Sequence, residues 1–243
     1  MQQLTSARSY LDGAIRVVET AHPAEGRSTV ELWLHDATTD RWAVRTVDSR
    51  DGLVGPPADR EWVGAAPGAA DDPDQPLDVP DDHLPKVTSD FDFLTGSWLV
   101  HHRRLRARLA GCTDWDEFDN TFEARTQLGG LVSIDEGALP QPSAYRGMTF
   151  RTYDVAAGEW SLHWFDSRDL RMDTAPVRGR FTDGPEGRVG VFVAEDVQEG
   201  VPVLCRFRWT VLGPRSATWE QAFSTDGGTT WETNWTMTEE RTD

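Results

Sequence analysis

The side chains best placed for chemistry in this sequence are polar ones, spaced by two along stretches that otherwise alternate as strands. Successive side chains of a strand point to opposite faces, so parity groups them. His102 and Arg104 share a face with Trp98 and Val100. Trp160, Leu162, Trp164 and Asp166 share another, with Ser161, His163 and Phe165 opposite. Arg206 and Arg208 oppose Phe207 and Trp209, Glu220 opposes Trp219 and Gln221, and Trp235 opposes Asn234 and Thr236. Arg206 and Arg208 offer planar forks suited to a carboxylate. His102 suits a general base if Glu123, Asp166 or Glu220 comes within reach. Trp164 and Trp235 offer indole faces to a flat or apolar molecule. The candidate ligand-binding set is therefore His102, Arg104, Glu123, Trp164, Asp166, Arg206, Arg208, Glu220 and Trp235, and no residue is assigned a catalytic role. Plainer readings stand beside it: solvated charge for the arginines, a satisfied histidine, and core filling for many of the eleven tryptophans.

Cofactor chemistry finds no support. The histidines, His22, His35, His83, His101, His102 and His163, form no metal-ligand spacing with each other or with Cys112 and Cys205. Phosphate loops and dinucleotide fingerprints are absent. A formal net charge of −17, with Lys86 the only lysine, repels phosphodiester backbones and anionic lipid, so neither nucleic acid nor membrane is an expected partner. Two cysteines make no disulfide framework, and no signal peptide or long apolar run appears, so a reducing cytoplasm is the expected location.

The elements that must position these residues change character along the chain. Leu4, Ala7, Leu11, Ala14, Ile15 and Val18 recur at three- and four-residue spacing, which predicts a helix over 4–21 ended by His22-Pro23. Alternation at 28–35 and 41–47 predicts a hairpin. Residues 52–90, rich in Gly, Pro and Asp and containing the acidic run 71–82, read as a linker. From Phe91 onward ten short candidate strands between 98 and 239 are joined by close turns, which predicts an antiparallel meander closed into a barrel. The expected division is a helix-plus-hairpin appendage (1–51), a linker (52–90) and a barrel (91–243). Ser224-Thr-Asp226-Gly-Gly228-Thr-Thr230-Trp231 fits the Asp-box pattern of a stapled hairpin turn.

One hairpin is written twice. Asp36, Trp42 and the run Asp48-Ser49-Arg50-Asp51 recur 118 positions later as Asp154, Trp160 and Asp166-Ser167-Arg168-Asp169. Fixed-offset similarity points to structural repetition. The N-terminal region thus reads as a partial echo of the barrel, lying against it or pairing with a second copy in a homodimer. Because the shared run lies in both copies, it reads as a strand-end device, which counts against Asp166 as a catalytic group.

Gly96-Ser97-Trp98, preceded by Asp90-Phe91-Asp92-Phe93-Leu94, resembles the opening of the calycin superfamily: lipocalins, fatty-acid-binding proteins and, most of all, an uncharacterised actinobacterial lipocalin-like group. Phe91–Arg104, Tyr145–Arg168 and Trp219–Trp235 carry the resemblance. It implies an up-and-down β-barrel with a cavity and with Trp98 pointing inward, and no particular chemistry. Haem barrels of that superfamily use a histidine near the C-terminus, and none follows His163 here. The expectation is a small-molecule-binding barrel for an apolar or aromatic ligand anchored by arginine. Two alternatives stay open: a cofactor-free cyclase, isomerase or hydrolase of secondary metabolism, and an interaction module with a filled barrel.

Overall fold

The computed structural model describes residues 4–55, 58–63, 83–140, 144–169, 175–185 and 187–243. The acidic run 71–82 lies outside the described residues. Five strands form an N-terminal sheet in sequential order: β1 (Leu4–Tyr10), β2 (Ile15–His22), β3 (Arg27–Asp36), β4 (Arg41–Asp48) and β5 (Ala58–Val63). Ten more form a closed antiparallel barrel: β6 (Gly96–Leu105), β7 (Trp115–Gln127), β8 (Val132–Leu139), β9 (Tyr145–Asp154), β10 (Glu159–Asp166), β11 (Val177–Gly184), β12 (Gly187–Gln198), β13 (Val201–Gly213), β14 (Ser216–Ser224) and β15 (Glu232–Arg241). Each barrel strand pairs with its sequence neighbour, and β15 closes the circle on β6 from Trp235↔Arg104 to Arg241↔Trp98. Closure leaves no edge to template aggregation.

The closing seam is fastened at one end. Trp98 is fully buried and donates from Nε1 to the Leu94 carbonyl at 2.7 Å. Arg241 lies over the Trp98 ring at 4.9 Å and donates to the carbonyls of Phe93, at 2.6 Å, and Thr95. With Phe91 and Leu94 buried beside it, the 3-10 turn Asp92–Leu94 blocks this end with apolar side chains.

The expected helix over 4–21 is instead the hairpin β1–β2, turned at Leu11–Gly13 with φ of +49°, +57° and +90°. Helical spacing misleads here because β2 is buried on both faces: Val17 and Val18 are adjacent and both buried. Ile15, Val17, Val18 and Thr20 are β-branched, which suits a pleated surface better than a helix. Strand β5 likewise falls inside the stretch whose composition reads as linker, pairing with β4 at Arg41↔Val63 and Trp42↔Trp62.

The N-terminal sheet packs on the outer face of the barrel through one shared core. Tyr10, Leu11, Ile15, Val17, Val30, Leu32 and Val47 meet Leu128, Leu131, Val132, Ile134, Met148, Phe150 and Phe165. The numbering of that core is orderly. Leu11, Ile15 and Val17 lie 117 positions before Leu128, Val132 and Ile134, and Val30, Leu32 and Val47 lie 118 before Met148, Phe150 and Phe165. Strands β3 and β4 have the bounds of β9 and β10 shifted by 118. The turn Leu128–Gly130 repeats the unusual backbone of Leu11–Gly13, with φ of +53°, +65° and +94°. Contacts across the interface correspond too: Glu19 accepts from Gln127 Nε2 at 3.0 Å, and Glu136, 117 positions on, accepts from the Leu11 amide at 2.5 Å.

Candidate functional site

Inside the barrel lies a cavity of ≈ 510 Å³, a size that suits a small organic molecule. Its walls include Phe122, Leu162, Trp164, Phe207, Trp209, Trp219, Trp235 and Met237. Gly147 makes room in the wall, because a Cβ there would overlap the Trp164 indole. The rim at the end opposite the 3-10 turn includes Glu195, Asp196 and Val197 of β12.

The sequence candidates divide by face. Trp98 points inward, as the resemblance implies, and its parity carries His102 into the cavity lining; Trp164 and Trp235 line it as well. Arg104 stands beyond the lining, over the rings of Trp235 at 5.0 Å and Phe118 at 5.4 Å, and donates to the Tyr145 hydroxyl at 3.4 Å. The arginine pair of β13 faces away from the cavity, since Cys205, Phe207 and Trp209 hold the inward parity. On the outer face Arg206 covers the Trp231 ring at 4.4 Å and lies 3.7 Å from Glu220. Arg208 and Glu220 share that outward parity. Glu123 is also outside, paired with Arg8 at 3.3 Å.

Asp166 ends its strand as a turn former. It accepts from the Arg168 amide at 2.8 Å and from its guanidinium at 2.9 Å, and Asp48 does the same with Arg50 at 3.0 and 2.6 Å. Ser167 and Ser49 each exchange two hydrogen bonds with the strand alongside, at Arg146 and Ser28. Burial works to raise the Asp166 carboxyl, but the bonds from Arg168 outweigh it and leave the group below its ordinary value. Asp166 is thus an ionised structural residue.

His102 is similarly committed. Its Nδ1 accepts from Trp235 Nε1 at 3.1 Å, which leaves Nε2 to carry the proton and donate to Asn120 Oδ1 at 2.8 Å. The imidazole stacks on Phe118 with centroids 4.6 Å apart. Burial lowers its pKa to about 4, against the opposing pull of the Asn120 bond. Both nitrogens are used and the ring is neutral, so it has no lone pair to offer as a base.

The polar groups that distinguish the cavity are ones that sequence parity did not single out. Arg151 of β9 is ion-paired with Asp135 of β8, sits near Ser133 Oγ at 3.5 Å, and covers the Phe91 ring at 4.9 Å. Beside them Glu239 of β15 lies opposite Val100 and Ala217, with 0% of its surface exposed. Neither Glu239 oxygen has a hydrogen-bond partner among the described residues, and the same holds for Trp209 Nε1 and Arg151 Nε. Burial pushes the Glu239 carboxyl well above the ordinary carboxylate range; Asp135 adds to this and Arg151 opposes it. The cavity therefore ends in a neutral carboxylic acid, an Asp–Arg pair of zero net charge and two unused N–H donors. A signal for the acid exists in sequence: Trp235, Met237 and Glu239 share one parity.

A carboxyl that keeps its proton in the folded chain but ionises near 4.5 in the unfolded one makes stability fall as pH rises. Above that ordinary value the unfolded chain gives up its proton first, at up to about 1.4 kcal/mol per pH unit, until the folded group ionises too. Glu239→Gln is expected to flatten this decline when denaturation midpoints are compared over roughly pH 5 to 9. An unchanged slope would place the ionised form in the folded state.

Among the described residues no group of His, Cys, Asp and Glu has the arrangement of a metal site, and no helix is long and apolar enough to cross a membrane. No family model matches the sequence, and no curated protein does. Among solved structures, a protein with unknown function from the DUF3598 family of Nostoc punctiforme aligns over 98% of this chain and 87% of its own, with a TM-score of 0.37 and 11% identity. That likeness is too loose to bear on the site.

Proposed function

We propose that the barrel binds a small, largely aromatic molecule in its central cavity, in the manner the calycin resemblance implies. The observation that carries this reading is the ≈ 510 Å³ cavity walled by indole and phenyl rings. Such walls stabilise a flat apolar guest by burial and ring contacts. The open interior counts against a filled barrel that serves only as an interaction module.

The neutral dye N-phenyl-1-naphthylamine tests the reading. Its emission is expected to rise on adding the protein while tryptophan emission is quenched. Trp164→Phe is expected to weaken binding with little loss of stability. A destabilisation of about 3–5 kcal/mol, the scale of a deleted core aromatic, with unchanged dye affinity would return Trp164 to the packed core.

A second reading, a cofactor-free enzyme working in the same cavity, is favoured by one observation: Glu239 is a buried acid that keeps a proton to donate. A guest recovered chemically altered after incubation would favour it; one recovered intact would favour carriage.

We also infer that the N-terminal sheet is a partial copy of the barrel wall. The matched strand bounds, turn backbones, strand-end hydrogen bonds and core positions support this. The copy packs its outer face on the outer face of β7–β10.

A further inference from the structure

We propose that the closed end of the cavity is a subsite for an uncharged hydrogen-bond acceptor, the carbonyl oxygen of an aromatic ketone, ester or amide, which Glu239 and Trp209 would grasp with their O–H and N–H. The inference deepens the ligand-binding reading and rests on it. It also departs from the arginine-anchored carboxylate that the sequence suggests.

Three observations lead here. First, polar atoms buried without partners cost stability, and proteins leave few of them. Glu239, Trp209 Nε1 and Arg151 Nε are three such cases lining or adjoining one cavity. Arg151 connects the group: its guanidinium lies 6.0 Å from the Trp209 ring centroid, its charge acts on the Glu239 carboxyl, and all three residues line the same cavity. Second, the two orphan nitrogens can only donate. What they await is an acceptor, which an ammonium group does not provide. Third, the charge is already balanced. Arg151 is taken by Asp135 and roofed by Phe91, so a ligand carboxylate would enter beside a negative charge with no spare cation. A neutral carbonyl meets all three conditions, with its aromatic body against Trp164, Trp219 and Phe207.

Displacement of bound N-phenyl-1-naphthylamine from the full-length protein separates the possibilities. The competitors are 2-acetylnaphthalene, its near-isostere 2-ethylnaphthalene, 2-naphthoate and 2-naphthylmethylamine. The ketone is expected to bind about tenfold tighter than the hydrocarbon, the scale of one or two well-formed hydrogen bonds, and both ions more weakly than either. In Glu239→Leu the ketone's advantage is expected to vanish while hydrocarbon affinity holds. Trp209→Phe, which keeps a ring and removes only the donor and its second ring, is expected to lose part of the advantage, and it decides the matter if the leucine variant does not fold.

Dye binding with equal affinity for ketone and hydrocarbon would overturn the subsite and leave the cavity reading intact. Tightest binding of the naphthoate or of the amine would overturn it too, as would a ketone preference that survives both substitutions. Failure of the dye and of every naphthalene to bind would overturn both proposals.

Discussion

A fragment beginning at Ser89, which keeps every barrel strand and omits the N-terminal sheet, is expected not to fold cooperatively. The barrel's outer wall at β8–β10 is largely apolar where the N-terminal sheet lies on it. Leu128, Leu131, Val132, Ile134, Met148, Phe150 and Phe165 are all inaccessible, and the N-terminal sheet is what covers them. Exposing a buried aliphatic or aromatic side chain costs about 1.5–3 kcal/mol. Seven of them come to about 10 kcal/mol or more, comparable with the whole stability of an ordinary domain. Gln127 would also lose the hydrogen bond it donates to Glu19. Urea denaturation followed by circular dichroism and tryptophan fluorescence reads the outcome. A sharp transition near that of the full chain would mean that the sheet is a removable appendage, as the sequence division at residue 91 suggests.

The second large effect is acid sensitivity through His102. In the unfolded chain this imidazole takes a proton below its ordinary 6.5, whereas in the folded barrel it resists down to about 4. As pH falls through that window the unfolded state binds the proton and the folded state does not. Stability contributed at neutral pH is therefore lost progressively, amounting to about 3 kcal/mol by the time the folded group titrates. Burial is the main cause, and the nearby Arg104 guanidinium works in the same direction. His102→Gln can still bond Asn120 but has nothing to protonate, so its denaturation midpoint is expected to fall less steeply over the window. Identical acid slopes in the two proteins would contradict a neutral, doubly bonded imidazole.

The barrel was legible because most of its strands obey one rule at a time: apolar inward, polar outward, with glycine or Asp-rich turns between. Its site was less legible because β8 to β10 break that rule. Met148 and Phe150 form the most apolar alternation of β9, yet they point out, into the core shared with the N-terminal sheet. Arg151 on the opposite parity points in. A strand covered on both sides offers no parity clue to which face is the interior, so Arg151 and Asp135 could be placed only once the second sheet was. The arginine pair at 206 and 208 shows the converse: Phe207 and Trp209 claim the cavity and leave the charges outside. Glu239 sits in the run Thr238-Glu239-Glu240-Arg241, which reads as a solvated strand end. Its parity with Trp235 and Met237 points it inward, and the register of closure, Glu239 opposite Val100, places it there. The misread helix at 4–21 has the same origin, since apolar residues on both faces of β2 mimic helical spacing.

Indole N–H resonances of the nitrogen-labelled protein, followed during titration with 2-acetylnaphthalene, test the central claim most directly. The cavity account predicts shifts at Trp164, Trp209, Trp219 and Trp235, which line the cavity. It predicts none at Trp33 and Trp42, which are buried in a separate cluster of the N-terminal sheet. Shifts confined to Trp33 and Trp42, or a saturating ligand that leaves all four cavity indoles unmoved, would contradict it.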